Sequence, residues 1–146
     1  MRHIILLTAA LLIASCNTSG NREVISTPDA PAAIGPYSQG IRVGKTLYLA
    51  GQIAIDPVTG KLVEGGIEAQ THQVLKNLGA VLKAGGFDYS HVVQVQAFVA
   101  DLNDYKALNE VYATYFSESK PARAVVEAAR IPRDALVEIM MVAVRQ

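Results

Sequence analysis

Residues 136–144 read Leu136-Val137-Glu138-Ile139-Met140-Met141-Val142-Ala143-Val144, an apolar run broken by one carboxylate. Such a run reads as a strand, in which alternate side chains point to opposite faces. Leu136, Glu138, Met140, Val142 and Val144 therefore share one face, and the intervening residues are apolar as well. A sheet built round this strand is apolar on both sides, and an apolar face is not left in water.

Working back along the chain, Ala124 to Ala129 forms a second strand, separated from the first by Ile131-Pro132-Arg133-Asp134. Before it, residues 103–116 carry Tyr105, Leu108, Tyr112, Tyr115 and Phe116 on one helical face, and Pro121 blocks continuation. Val93, Val95, Ala97 and Val99 alternate with Gln94, Gln96 and Phe98, a strand. The longest helix spans 67–84, with Val74, Leu75, Leu78, Val81 and Leu82 in one stripe and Gly85-Gly86 as the stop. Ile41–Val43 and Thr46–Ile55 are strands turned at Gly44-Lys45. The turn Asp56-Pro57-Val58-Thr59-Gly60 leads to a short strand at Lys61–Val63, and prolines at 28, 31 and 36 hold an extended segment. The order is β-β-α-β-α-β-β. It fits an α+β domain over 24–146, a mixed sheet with two helices on one face, whose other face packs on another subunit.

The chain has 146 residues, 51% of them hydrophobic, with 13 Lys plus Arg balanced by 13 Asp plus Glu. That length is one domain with a real core. Balanced charge offers no basic footprint for nucleic acid. A single Cys excludes an internal disulfide framework.

That Cys also bears on location. Arg2 and His3 precede an apolar run from Ile4 to Ile13, then Ala14-Ser15-Cys16. Residues 1–15 read as a signal peptide, since the run is shorter than the ~20 residues a membrane-crossing helix needs. The ending Ile13-Ala14-Ser15-Cys16 resembles a bacterial lipobox, which makes Cys16 the lipidated residue and 16–23 a polar tether. Asn17 in the following position favours the outer membrane. An ordinary secretory signal with an incidental Cys is the other reading.

Several motifs fail on inspection. Gly44-Lys45-Thr46 lacks the glycine a phosphate loop needs at 39, where Gln39 stands, and a strand follows in place of a helix. His3, His72 and His91 have no ligand partners at metal spacing, so no metal is expected. No Gly-x-Ser-x-Gly elbow is present.

Four residues have chemical interest. Glu138, among apolar neighbours, is either a desolvated general base or a strand-end carboxylate that is wet or paired with a nearby Lys or Arg. Arg123, beginning a strand after Pro121-Ala122, is either a carboxylate clamp or a surface arginine. Tyr37 follows the stiff Gly35-Pro36 and either aims a phenol or packs. Asn109 lies between Leu108 and Tyr112 and either joins a site or faces solvent.

Taken together these residues sit within motifs that resemble one family. Ala32-Ala33-Ile34-Gly35-Pro36-Tyr37-Ser38-Gln39-Gly40, Gly51-Gln52-Ile53, Asp56-Pro57-Val58-Thr59-Gly60 and Asn77-Leu78 are similar to those of the reactive intermediate deaminases, the Rid or YjgF-type proteins. Asp101-Leu102-Asn103-Asp104-Tyr105, Asn109-Glu110-Val111-Tyr112, Pro121-Ala122-Arg123 and Val137-Glu138-Ile139 extend the likeness over about 24–146. The resemblance implies a chorismate-mutase-like homotrimer with pockets between subunits. It implies hydrolysis of 2-enamino and 2-imino acids to 2-keto acids and ammonia without a cofactor. Arg123 would clamp the substrate carboxylate and Glu138 would activate water or pass a proton to the leaving nitrogen. The Gly51 amide, the Val125 carbonyl, Tyr37 and Asn109 would complete the binding site. Many members carry Cys where this chain has Val125 and Ser where it has Ala50, which bears on substrate preference. The competing functions are a non-catalytic carboxylate-binding trimer of the envelope, a ribonuclease, which the charge balance disfavours, and a structural envelope protein.

Overall fold

Leu78 and its neighbours on the long helix explain most of the interior. In α1, Ile67–Ala84, the stripe Val74, Leu75, Leu78, Val81 and Leu82 is wholly buried. Glu68 in its first turn and Lys83 in its last complement the helix dipole. The helix stops where Gly86 takes φ +80°: the Gly86 amide donates to the Lys83 carbonyl and the Phe87 amide to that of Leu82. This is the paired bonding of a left-handed helix terminus, which glycine adopts without steric cost.

The computed structural model describes residues 21–146. Its strands are β1 Arg22–Ile25, β2 Gly40–Val43, β3 Thr46–Ile53, β4 Val92–Val99, β5 Ala122–Glu127 and β6 Val137–Val144, with α2 at Tyr105–Tyr115. They form one sheet in the order β1-β2-β3-β6-β4-β5. β4 and β5 are parallel and every other pair is antiparallel, so the sheet is mixed. The core lies between the helices and the inner face, where Leu47, Leu49, Val95, Val99, Val137, Ile139 and Met141 meet α1 and Leu108 of α2. The outer face carries Tyr48, Val93, Val126, Met140 and Val144 in the open. Among the described residues no helix is long and apolar enough to cross a membrane.

Several boundaries differ from the sequence reading. Arg22 and Glu23, read as tether, belong to β1, which pairs antiparallel with β2. Ile25 is buried and Glu23 pairs with Arg42, so two contacts hold a strand that shows no alternation of its own. β3 ends at Ile53, and Ile55 and Leu62 form a single bridge where a further strand was expected. Residues 102–104 form a 3-10 turn begun by Asp101, whose carboxylate accepts the Asn103 amide, so α2 starts at Tyr105. β5 runs over 122–127 instead of 124–129. In β4 the register shifts between Val92 and Gln94, and Val93 is exposed, off the inner face it was expected to share with Val95. The signal peptide of 1–15, Cys16 and the tether up to Gly20 lie outside the described residues.

Three buried amide side chains pin the loops at one end of the sheet. Asn77 Nδ2 donates to the carbonyls of Ile53 (3.3 Å) and Ile55 (2.8 Å). Gln70 Oε1 accepts the Leu136 amide at 2.8 Å. Gln39 Nε2 donates to the carbonyls of Thr27, Ala30 and Pro31, and its Oε1 accepts the Thr27 amide. Replacing Asn77 with Leu strands two carbonyls in a dry interior. The expected loss is about 2–3 kcal/mol in urea unfolding, seen as a lower midpoint with an unchanged slope.

Candidate active site

Glu138 is the second residue of β6 and lies on the outer face, across from Ile53 of β3 and Phe98 of β4. Its carboxylate rests directly over Gly51. A Cβ on Gly51 would come within 2.1 Å of Oε1, so a side chain there displaces the carboxylate from this position. β3 bulges here: the pairing with β6 jumps between Leu49 and Gln52, and two residues, Ala50 and Gly51, occupy the gap. A bulge re-aims the strand and frees backbone groups from the ladder.

These residues face a cavity of about 340 Å³ lined by Ile34, Tyr37, Ala50, Gly51, Ile53, Pro132 and Glu138. Tyr37 closes one side. Its phenol oxygen accepts the Ile34 amide at 3.3 Å, and its own amide donates to the Gly35 carbonyl, which folds the ring back on the turn. Pro132 closes another side, in a loop where Arg133 and Asp134 both adopt positive φ, 59° and 56°. Two successive non-glycine residues in that region mark a strained turn. Among the described residues Glu138 makes no ion pair, and burial raises its pKa above the ordinary carboxylate value. Glu138 stands at the start of its strand, half-buried and without an ion pair among the described residues, which removes the paired form of the second reading and keeps the wet one.

Arg123 sits elsewhere. It stands on β5 across from Val95, on the helix-facing side, and its guanidinium lies over the Tyr112 ring at 4.4 Å. Nη2 donates to Asn109 Oδ1 at 2.6 Å and reaches the Tyr105 hydroxyl at 3.5 Å. Tyr105, Asn109 and Tyr112 fall at i, i+4 and i+7 on α2, one stripe beneath the arginine. Burial pushes the Tyr112 phenol up to about 12, so it stays neutral under the cation. Nη2 is thus tethered, while Nε and Nη1 have no partner among the described residues and keep their donors. Arg123 and Asn109 line a separate cavity of about 440 Å³.

The structure therefore brings Tyr37, Gly51 and Glu138 together, and joins Asn109 to Arg123. It does not unite the two groups within one chain, because Arg123 and Glu138 project from opposite faces of the sheet. Val125 turns its side chain onto the helix-side core, in register with Ala97. Sequence reasoning took Tyr105 and Tyr112 as packing residues only, and it missed Ile34 and Pro132 as cavity walls. The 105/109/112 spacing was the available signal for the first pair. Among the described residues no three of His, Cys, Asp and Glu converge as a metal site would need.

The raised pKa has a thermodynamic sign. The folded chain keeps a proton on Glu138 at pH values where the unfolded chain has lost it. Stability is thus fuller below the ordinary carboxylate range and falls as pH rises through the folded value. Glu138→Gln is expected to raise the melting temperature by a few degrees near pH 7 and to give no gain under acid conditions where both side chains are neutral. Calorimetry of both proteins across pH checks this.

A family model described as endoribonuclease L-PSP matches residues 27–145. A RutC family protein of Pyrococcus horikoshii is 51% identical over 125 residues, 86% of this chain and 99% of that protein. The 2-iminobutanoate/2-iminopropanoate deaminase of Mus musculus is 51% identical over 124 residues, 85% of this chain and 92% of that enzyme. Among solved structures, YyfA of Yersinia pestis, described as a member of the conserved Rid protein family, aligns with a TM-score of 0.83 at 46% identity. The match covers 86% of this chain and 100% of that one. TdcF of E. coli, solved with bound serine, aligns with a TM-score of 0.82 at 37% identity over 85% of this chain and 99% of its own. With a family match across nearly all the described residues and the same fold in these relatives, the chain belongs to the endoribonuclease L-PSP family, the Rid proteins.

Proposed function

We propose that this chain is an imine and enamine deaminase that hydrolyses 2-imino and 2-enamino acids to 2-keto acids and ammonia, at sites shared between copies of a homotrimer. The observation that carries the reading is the Glu138 carboxylate: half-buried, without an ion-pair partner among the described residues, and facing a cavity of small-molecule size. A carboxylate with a raised pKa is suited to proton transfer near neutral pH. The mammalian relative's name, a deaminase of 2-iminobutanoate and 2-iminopropanoate, supports the same substrate class.

The opposed faces of Arg123 and Glu138 supply the argument for shared sites. β5 is an edge strand, and Arg123 stands on it with free donors. The outer face that bears Glu138 is apolar and open. Covering that face with neighbouring copies, as a chorismate-mutase-like barrel does, carries the Arg123 edge of one subunit to the Glu138 cavity of the next.

Arg123 then holds the substrate carboxylate with its fork, together with the Gly51 amide. Glu138 takes a proton from water as the oxygen adds to the imine carbon, giving a tetrahedral carbinolamine. The imine enters in its protonated form, the carboxyl returns its proton to the carbinolamine nitrogen, and as the C–N bond breaks the hydroxyl proton passes to the Glu138 carboxylate and on to solvent, leaving the keto acid and ammonia. Tyr37 shapes the polar side of the cavity, Asn109 steadies the arginine, and the Val125 carbonyl orients water or the substrate nitrogen. Ile34, Ala50, Ile53 and Pro132 leave an apolar wall for a short substrate side chain.

The sequence before residue 21 adds a location: export, lipid attachment at Cys16 and residence in the cell envelope, on imines formed or arriving there. Changing Cys16 to Ala is expected to move the protein from the membrane to the soluble fraction, checked by fractionation.

The activity is tested by trapping 2-iminopropanoate, generated by an amino-acid oxidase, as its semicarbazone. Wild type is expected to lower the trapped yield, and Arg123→Ala and Glu138→Gln to lose at least 10²-fold of that activity. Mixing the two inactive proteins and refolding them together is expected to restore about a quarter of wild-type activity, because each mixed trimer recovers one intact site. Absence of turnover by a folded trimer favours the carboxylate-binding module, and absence of rescue favours sites within one chain.

A further inference from the structure

At the opposite end of the sheet from Glu138, cations gather on four elements. Lys45 is exposed at the tip of the β2–β3 turn, where Gly44 takes φ +57°. Arg42 of β2 donates from Nη1 to the Gly85 carbonyl at 3.2 Å. Arg145 follows β6, its amide donating to the Lys45 carbonyl at 2.9 Å and its guanidinium lying over the Phe87 ring at 5.6 Å. Arg42, Lys45 and Arg145 line a shared cavity of about 290 Å³ with Gly44, Phe87 and Gln146. Exposed Arg22 opens β1 across from Val43, and Lys83 stands in the last turn of α1, which ends here. The nearby acidic side chains are Glu23, paired with Arg42, and Asp88, engaged with Ser90 and His91. The chain as a whole is neutral, so this concentration is a local excess.

The tether joins the fold at the same end. From Cys16 to Arg22 the chain spans at most ~20 Å, so attachment at Cys16 holds Arg22 within that distance of the lipid surface, and the β2–β3 turn bearing Lys45 follows directly after Val43, the residue across from Arg22. From Glu138 to Val144 along β6 is also about 20 Å, and the cavity under Glu138 lies at the far end of the strand.

We propose that the Arg22, Arg42, Lys45 and Arg145 end is a membrane-docking surface for the phosphates of anionic lipid headgroups, which seats the anchored protein with its Glu138 cavities facing away from the bilayer. The inference takes attachment at Cys16 from the reading above. Lysine and arginine near an anionic bilayer each add attraction that falls with salt, and a tether within reach multiplies the effect by effective concentration.

The test separates docking from anchoring. The chain beginning at residue 16 with Cys16→Ala retains every described strand and helix and carries no lipid. At low salt it is expected to co-sediment with phosphatidylglycerol vesicles and not with phosphatidylcholine vesicles. Binding should fall at least tenfold in Arg22→Glu/Lys45→Glu, and by a smaller factor in the milder Arg22→Gln/Lys45→Gln. Both pairs lie on exposed positions and are expected to keep the melting temperature and imine hydrolysis of wild type. Equal binding to both lipids, or by wild type and the folded glutamate variant, overturns the proposal. Release from vesicles by glycerol 1-phosphate at matched phosphate concentration also overturns it, in favour of a free-phosphate site. Failure of the anchor reading shows only in fractionation of the Cys16→Ala full chain, which this assay does not use.

Discussion

On β6, Val137, Ile139, Met141 and Ala143 face the helices, while Met140, Val142 and Val144 face away. Both sets need to leave water, and one chain supplies cover for one side only. α1 and α2 close the inner face, and that packing fixes the order of the strands around β6, which sits between β3 and β4. The outer face is left open in the chain taken alone. The polar side chain that β6 places on that face, Glu138, lies near its start, at the margin where the β3 bulge and the 132–134 loop rise beside it. In the proposed trimer, assembly and chemistry use the same surface.

The precision of the cavity depends on polar groups behind it. Gln39, Gln70 and Asn77 are nearly inaccessible to solvent. Each spends its amide on the backbone of a loop or strand end that leads into the cavity: 27–31 before Tyr37, the approach to β6 at Leu136, and the exit of β3 at Ile53–Ile55. Buried amides earn stability only when bonded, and these are. The walls around Glu138 are thus irregular backbone held as firmly as a sheet. On the other side, Arg123 is held by an aromatic face and one amide oxygen, so its orientation is set before a substrate arrives.

Much of this was legible in the sequence, for identifiable reasons. The stripe of α1 and the two-sided apolar run of β6 follow from periodicity, and the Gly85-Gly86 stop follows from backbone sterics. The strand β1 was not legible, because Arg22-Glu23-Val24-Ile25 has no alternation and is held by a partner strand and by Arg42. Val93 was misplaced because a register shift of one residue reverses a side chain's face. Glu138 stood out as a charge among apolar residues. Its closeness to Gly51 did not, since a contact between β3 and β6 joins positions distant in the chain. The opposed faces of Arg123 and Glu138 could not be read from either strand alone, because they depend on how β5, β4 and β6 are registered.

The contact between Glu138 and Gly51 also constrains how this enzyme family can change. With the carboxylate resting on a bare Cα, a side chain at position 51 displaces the acid from the place it now holds. The aim of the acid is thus set by the absence of a side chain at 51, while Ile34, Ala50, Ile53 and Pro132 line the same cavity without touching that constraint.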